Sequence, residues 1–194
     1  MLLSNALKFS HELMERALQP GDRALDATAG NGKDTRHLAN LVGPQGQVVA
    51  IDIQEEAVKK TAKLLEDEGH SERVELINGD HRNLDELTRG PFRVIVFNLG
   101  YLPGSDHEIS TNPDSTITAI RKALPMLAPG GIITIVAYHG HTEGKGELAA
   151  LEKFLPTLNQ EEVIVLQYSF INQANNPPIL FALEAPGDDH YPDR

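Results

Sequence analysis

The amino-acid sequence predicts an α/β fold: a doubly wound, mostly parallel sheet with helices on both faces. Three observations carry this. Short apolar runs rich in Val and Ile alternate with longer segments of helical periodicity. The apolar runs end in polar residues, namely Asp26, Asp52, Asp80 and Asn98. The stretch Ala24-Leu25-Asp26-Ala27-Thr28-Ala29-Gly30-Asn31-Gly32-Lys33-Asp34-Thr35 reads as a strand, a glycine turn and a helix start. Such a turn leaves backbone N–H groups and open space at the carboxyl edge of a sheet, where open α/β sheets bind ligands.

Each element has its own local reason. Leu2, Leu3, Ala6, Leu7, Leu13, Met14, Ala17 and Leu18 recur at helical spacing, predicting an amphipathic helix over 4–18 that Pro20-Gly21-Asp22 stops. Arg23 to Ala27 is the first strand, and a helix over 32–42 ends at Gly43-Pro44. Gln47 to Ile51 is the second strand, followed by a helix from Glu55 to Asp67 that Gly69 closes. Arg73 to Ile77 and Phe92 to Phe97 are the third and fourth strands. Asn112-Pro113 has the form of an N-cap with proline in the first turn, and Pro125 disturbs the end of the helix it starts. Pro129-Gly130-Gly131 reads as a turn before the fifth strand, Ile132 to Tyr138. A helix over 148–158 and two strands, Val163 to Phe170 and Ile179 to Glu184, complete the set. No helix separates the last two strands, so they pair antiparallel.

With 194 residues the chain suits one domain over 1–186, the first helix included, with a polar tail over 187–194. There is no cysteine, which excludes disulfides and thiolate metal sites and fits a reducing, cytoplasmic setting. Lys8, His11, Glu12, Glu15 and Arg16 interrupt the N-terminal apolar residues, against a signal peptide, and no apolar run reaches membrane-spanning length. A formal net charge of −11 argues against a general nucleic-acid coat but leaves room for a local basic patch.

The strand ends carry the chemistry. Gly30-x-Gly32 is followed by Thr35 where a dinucleotide fingerprint needs a third glycine. Asp26 would repel a pyrophosphate and attract a cation. Asp52 stands where an acid binds ribose hydroxyls. Asp80 can accept from an exocyclic amine, and His81 can stack or donate. A ligand with ribose, adenine and a positive centre but no phosphate unites these features, and S-adenosylmethionine is such a ligand.

The chain resembles the class I S-adenosylmethionine-dependent methyltransferases in Asp26 to Gly32, Asp52, Asp80, Asn98 and Leu127-Ala128-Pro129-Gly130-Gly131. That resemblance implies a Rossmann-like, seven-stranded sheet with an antiparallel C-terminal strand. A narrower resemblance rests on Asn98-Leu99-Gly100-Tyr101-Leu102-Pro103-Gly104, on Tyr138-His139-Gly140-His141 with Gly144, Lys145 and Glu147, and on Asn172 to Pro178. These look like the rRNA methylase family, whose members are implicated in methylating the amine of 5-aminomethyl-2-thiouridine at the tRNA wobble position. The resemblance implies that Asn31, Lys33 or Asp34, Asp52, Gln54, Asp80 and His81 line the cofactor, beside Asp26, Gly30 and Gly32. Lys33 stands where a smaller polar residue is expected.

Methyl transfer to an amine asks for alignment of nucleophile and methyl, and for a neutral amine. Asn98 can hold the amine through its carbonyl oxygen, and Tyr101 can stack a base. Either His139 or His141 could take a proton. Lys145, read as lying in a glycine-flanked loop, could meet a phosphate, and Asn172, Asn175 and Asn176 could read base or ribose edges. Arg82, Arg89, Arg121 and Lys122 are further candidates for RNA contact. The implied partner is the anticodon region of tRNA, with no membrane, and a homodimer is compatible with the chain. Plainer readings stand beside these: Asp80 as a helix cap, Asn98 as a turn residue, and the two histidines as hydrogen-bonded rim residues. His11, His37, His70 and His190 read as surface or packing residues, and no metal site is expected. Ribosomal RNA or a small amine is the alternative acceptor. An NAD-linked oxidoreductase on the same sheet is disfavoured by the missing glycine and by Asp26.

Overall fold

A computed structural model of the chain describes residues 2–100, 113–140 and 142–187. Among the described residues, thirteen α-helices and strands order as α1 (Ala6–Ala17), β1 (Arg23–Asp26), α2 (Lys33–Val42), β2 (Gln47–Asp52), α3 (Glu55–Asp67), β3 (Val74–Asn78), α4 (Leu84–Leu87), β4 (Phe92–Leu99), α5 (Pro113–Ala123), β5 (Leu127–Ala137), α6 (Thr142–Phe154), β6 (Ile164–Tyr168) and β7 (Ile179–Glu184). The sheet has seven strands in the order β3-β2-β1-β4-β5-β7-β6. The first five run parallel, and β7 is antiparallel to both β5 and β6. The strand order reverses between β1 and β4. This is the switch point where crossovers leave toward opposite edges and a crevice opens at the strand ends.

The alternation of side chains along each strand builds two cores. On one face Val48, Val94, Val96, Ile132 and Ala182 pack with Met14 of α1, with Leu18 that follows it, and with Leu38, Ala39 and Val42 of α2. On the other, Leu25, Val49, Ile51, Ile95, Phe97, Ile133 and Phe181 pack with Leu84, Ala119, Ile120, Leu151 and Phe154. Each buried Val, Leu, Ile, Met or Phe among them is worth about 1.5–3 kcal/mol. That exceeds the few tenths that propensity assigns to any single position, so burial selects the register. The order of elements on the two faces follows the expectation of helices above and below a mostly parallel sheet.

Several boundaries differ from the sequence reading. The Pro129-Gly130-Gly131 turn lies inside β5, which starts at Leu127. Leu127 pairs with Phe92 and pairing resumes at Ile132 with Val94, so the intervening residues form a bulge. The Arg93 guanidinium ties it down by donating to the Pro129 carbonyl at 2.7 Å. The last helix begins at Thr142, not at 148, which takes Lys145 out of a loop and onto the helix. Gly144 explains the difference: a Cβ there would collide with the Tyr138 carbonyl, so glycine permits α6 to start against the end of β5. Pro125 falls in a short 3-10 turn, Leu124–Met126, after α5, as expected of a proline that ends a helix.

Candidate active site

Asp52 ties the carboxyl end of β2 to the turn after β1, and Asn78 ties the end of β3 to that of β2. Asp26 is fully buried; it accepts from the Thr35 hydroxyl at 2.6 Å and the Thr28 N–H at 3.1 Å. It therefore braces the glycine turn from below. Burial, reinforced by the charge of Asp34, pushes its carboxyl up to about 7. Asp52 is half-buried and bridges two turns, accepting from the Gly30 N–H at 2.8 Å and the Gln54 N–H at 2.9 Å. Asn78 donates to the Asp52 and Ile53 carbonyls at 3.0 and 3.1 Å. Gly30 and Gly32 both adopt positive φ, +54° and +76°. At Gly32 a Cβ would sit 2.9 Å from the Thr61 hydroxyl, so this glycine lets α2 and α3 approach. Asn31, on the turn, and Lys33, which opens α2, are exposed.

At the end of β4, Asn98 joins β1 to α2. Its N–H donates to the Thr28 hydroxyl at 2.7 Å, and its Nδ2 donates to Asp34 Oδ2 at 2.9 Å. The other Asp34 oxygen lies 2.7 Å from His11 Nε2 of α1. Burial alone would raise the Asp34 carboxyl, but the hydrogen bonds from His11 and Asn98 outweigh it and hold it below the usual range. The His37 ring stacks on His11 with centroids 4.4 Å apart. Burial, with the neighbouring His11, pushes His37 down. His11, read from sequence as a surface or packing residue, therefore needs correction, because it is a partner of the Asp34–Asn98 pair, whereas His37 packs on the His11 ring as that reading expects. The signal was present, since His11 falls on the stripe of Leu7, Met14 and Leu18, and Asp34 on that of Leu38 and Val42. A polar group on a buried stripe needs a partner.

The remaining candidates spread around this centre. Asp80 accepts from the Arg82 N–H at 2.9 Å and its side chain at 2.8 Å. Burial would raise it, but the Arg82 hydrogen bonds keep it low. His81 lies edge-on to Phe97, centroids 6.2 Å apart, and burial pushes it down against the pull of Asp80. Glu147 of α6 is buried and accepts from the Thr116 hydroxyl at 2.6 Å. His139 is half-buried after β5, its Nε2 2.9 Å from the Pro177 carbonyl. That contact ties the β5 end to the loop carrying Asn172, Asn175 and Asn176, all exposed, with Asn176 at φ +45°. Lys145 is exposed on α6. Among the basic candidates, Arg82 pairs with Asp80 and Lys122 with Asp85, both at 2.6 Å, and Arg121 stacks 4.4 Å over Phe154. Tyr101 and His141 lie outside the described residues.

Comparison with known proteins agrees with this fold. The family model described as "Putative rRNA methylase" matches residues 48–184. A chloroplastic tRNA (mnm(5)s(2)U34)-methyltransferase of Arabidopsis thaliana is 36% identical over 186 residues, spanning 91% of this chain and 68% of that protein. A protein of Clostridium thermocellum called a putative rRNA-methylase superposes with a TM-score of 0.93 at 44% identity, covering 95% of this chain and all of that one. A Streptococcus mutans protein called a putative methyltransferase, solved with SAH, gives 0.86 at 36% identity, covering 95% and 99%. Sheet, strand-end acids and relatives together define a class I S-adenosylmethionine-dependent methyltransferase. Within that class, the chain belongs to the rRNA methylase family.

Proposed function

We propose that this enzyme methylates the primary amine of a 5-aminomethyl-2-thiouridine at the wobble position of tRNA, giving the 5-methylaminomethyl nucleoside, in a cytoplasmic setting. The observation that carries an amine acceptor is the Asn98 side chain. With Nδ2 committed to Asp34, the other end of the amide is a carbonyl oxygen, and an amine N–H can donate to it. The tRNA acceptor is supported by the identity with the Arabidopsis enzyme across 91% of the chain.

The donor set fits S-adenosylmethionine. Asp52 can accept from ribose hydroxyls on the lone pairs left by its two backbone bonds, and Asp80 and His81 stand at the next strand end. The cation nearest Asp80, Arg82, is already paired with it, which suits a ligand carrying hydroxyls and positive charge better than a pyrophosphate. Asn31 and Lys33, both exposed, and Gln54, half-buried, would line the same rim. When bound, S-adenosylmethionine supplies a methyl group on a positively charged sulfur. The chain's own residues orient the acceptor and receive its proton. A carbonyl only accepts, so His139 Nε2 bears its hydrogen toward Pro177 and Nδ1 is the nitrogen left to take a proton. Tyr101 and His141 are assigned to base stacking and to the same proton path. Lys145, Asn172, Asn175 and Asn176 sit on elements that border this rim and would contact the RNA.

Nucleoside mass analysis tests this. Bulk tRNA from cells lacking the enzyme is incubated with the protein and S-adenosylmethionine, then digested. The expected result is a gain of one methyl on 5-aminomethyl-2-thiouridine, slowed by about a hundredfold or more in Asn98→Ala but still measurable. Methylation of ribosomal RNA or of a small amine instead would overturn the tRNA assignment.

A further inference from the structure

The first helix of this fold lies against the candidate active site, and one of its side chains reaches inward. Met14 and Leu18 bury α1 in the core beneath the sheet, and Asn5 caps its start by accepting from the Lys8 N–H at 2.8 Å. The Tyr168 hydroxyl donates to the Ser4 carbonyl at 2.7 Å, tying the helix start to β6. These anchors bring His11 to Asp34 and hence to the end of β4.

We propose that His11 is a positioning residue: through Asp34 it locks the Asn98 amide with its carbonyl oxygen toward the acceptor amine, making α1 part of the catalytic assembly. The inference rests on the reading of Asn98 given above. An amide can present either of two ends to a ligand, one a donor and one an acceptor. An ionised carboxylate only accepts, so contact with Asp34 Oδ2 forces the NH₂ group to that side. His11 keeps the carboxylate in that state by donating from Nε2 to Oδ1 at 2.7 Å. Two charge-assisted hydrogen bonds then hold one small buried anion. Without His11, Asp34 would be a buried acid beside Asp26 with one donor fewer, and it would gain a proton more readily. A protonated Asp34 can donate to the Asn98 oxygen, and the amide loses its single orientation. The backbone of Asn98 is already pinned by Thr28, so side-chain rotation is the freedom the lock removes. The groups around the pair are His37, stacked on His11; Glu15, 3.6 Å from His37; Asp26; and Tyr138, whose hydroxyl Asp34 helps to push up after burial.

The test uses the full chain with S-adenosylmethionine and the tRNA of the previous section. His11→Ala, His11→Gln and Asp34→Asn are compared with wild type and with Asn98→Ala. His11→Ala is expected to lower kcat about tenfold to a hundredfold, the scale of a misplaced reacting group, with both KM values within about twofold of wild type. His11→Gln, which can still donate to Asp34, is expected to recover most of that loss. In the Asn98→Ala background, His11→Ala is expected to cost nothing more. Asp34→Asn, nearly isosteric, is expected to lower kcat while melting close to wild type. The Asn98 side-chain NH₂ resonances of ¹⁵N-labelled protein give a readout independent of turnover. They are expected to be shifted downfield in wild type and to collapse toward the free-amide position in His11→Ala and Asp34→Asn. Full activity in His11→Ala beside a slowed Asn98→Ala overturns this inference alone. So do losses that multiply in the double variant, or NH₂ resonances that do not move. Full activity in Asn98→Ala overturns the reading of Asn98 itself, and the inference with it.

Discussion

Asp26, at the end of β1, and Asp34, in the first turn of α2, are neighbours that meet opposite fates. Asp26 has no exposed surface and only a hydroxyl and a backbone N–H to support a charge, so burial and the Asp34 charge lift it to about 7. Asp34 has two side-chain donors and stays low. The consequence for stability has a definite sign. A folded-state carboxyl lifted from 3.8 to about 7 binds its proton more tightly folded than unfolded. Its contribution is complete below about pH 4 and is lost as pH rises toward 7, with a slope approaching ~1.4 kcal/mol per pH unit. His37 is depressed and acts oppositely, its contribution growing as pH rises toward its ordinary value. The Asp26 effect is therefore read as a difference. Asp26→Asn is expected to gain stability relative to wild type between pH 4.5 and 7.5 in urea melts. A difference that stays level over that range would contradict the burial argument. Asp26 was legible in the sequence as an acid at a strand end. Its burial was not, because whether a carboxylate faces the ligand or the core depends on where Thr35 and Asp34 come to lie.

At the scale of elements, the glycine turn and the last helix show how packing decides what local sequence leaves open. Gly32 combines a positive φ with a missing Cβ that would meet Thr61 at 2.9 Å, whereas Gly21 has φ +98° and nothing near. Gly21→Ala is expected to cost about 1 kcal/mol from backbone strain alone. Gly32→Ala is expected to cost about 2–3 kcal/mol because α3 must also shift. Denaturant midpoints check the pair, and equal losses would show that the α2–α3 contact gives way freely. Gly-x-Gly was readable as a turn; its role in helix packing was not. The run Glu143-Gly144-Lys145-Gly146 looks like a helix breaker, yet α6 passes through it, and the close approach to the Tyr138 carbonyl leaves room only for glycine at 144. Likewise Pro129-Gly130-Gly131 carries turn residues, but Arg93 from the neighbouring strand holds it as a bulge in β5.

For the whole molecule, charge is the property that most constrains RNA binding. A chain with net charge −11 meets a polyanion through few cations, and three of the five basic candidates are already engaged by Asp80, Asp85 or Phe154. Arg89 and Lys145 are exposed and remain as candidate phosphate contacts. About two contacts to a single-stranded loop predict that affinity falls only about sevenfold between roughly 50 and 200 mM salt. Titrating a labelled anticodon stem-loop across that range checks this, and Lys145→Glu is expected to flatten the slope further. A loss of a hundredfold or more would mean that a larger basic surface forms. No helix among the described residues is long and apolar enough to cross a membrane.

The sequence by itself determined the α/β class, the parallel order with an antiparallel strand at the end, the polar strand ends and the methyltransferase likeness. These follow from short-range patterns: period-two burial, helical stripes, glycine turns and the absence of a crossover between the last two strands. Only the tertiary structure decided which of these acids stay partly exposed, as Asp52 and Asp80 do, and which is sealed, as Asp26 is. It also placed Lys145 on a helix and brought His11 to Asp34 and Asn98. Positions 23 and 64 residues apart meet there through packing on the sheet, and no local pattern records such a meeting. A buried stripe can announce that a polar side chain needs a partner; which partner it finds is settled by the fold.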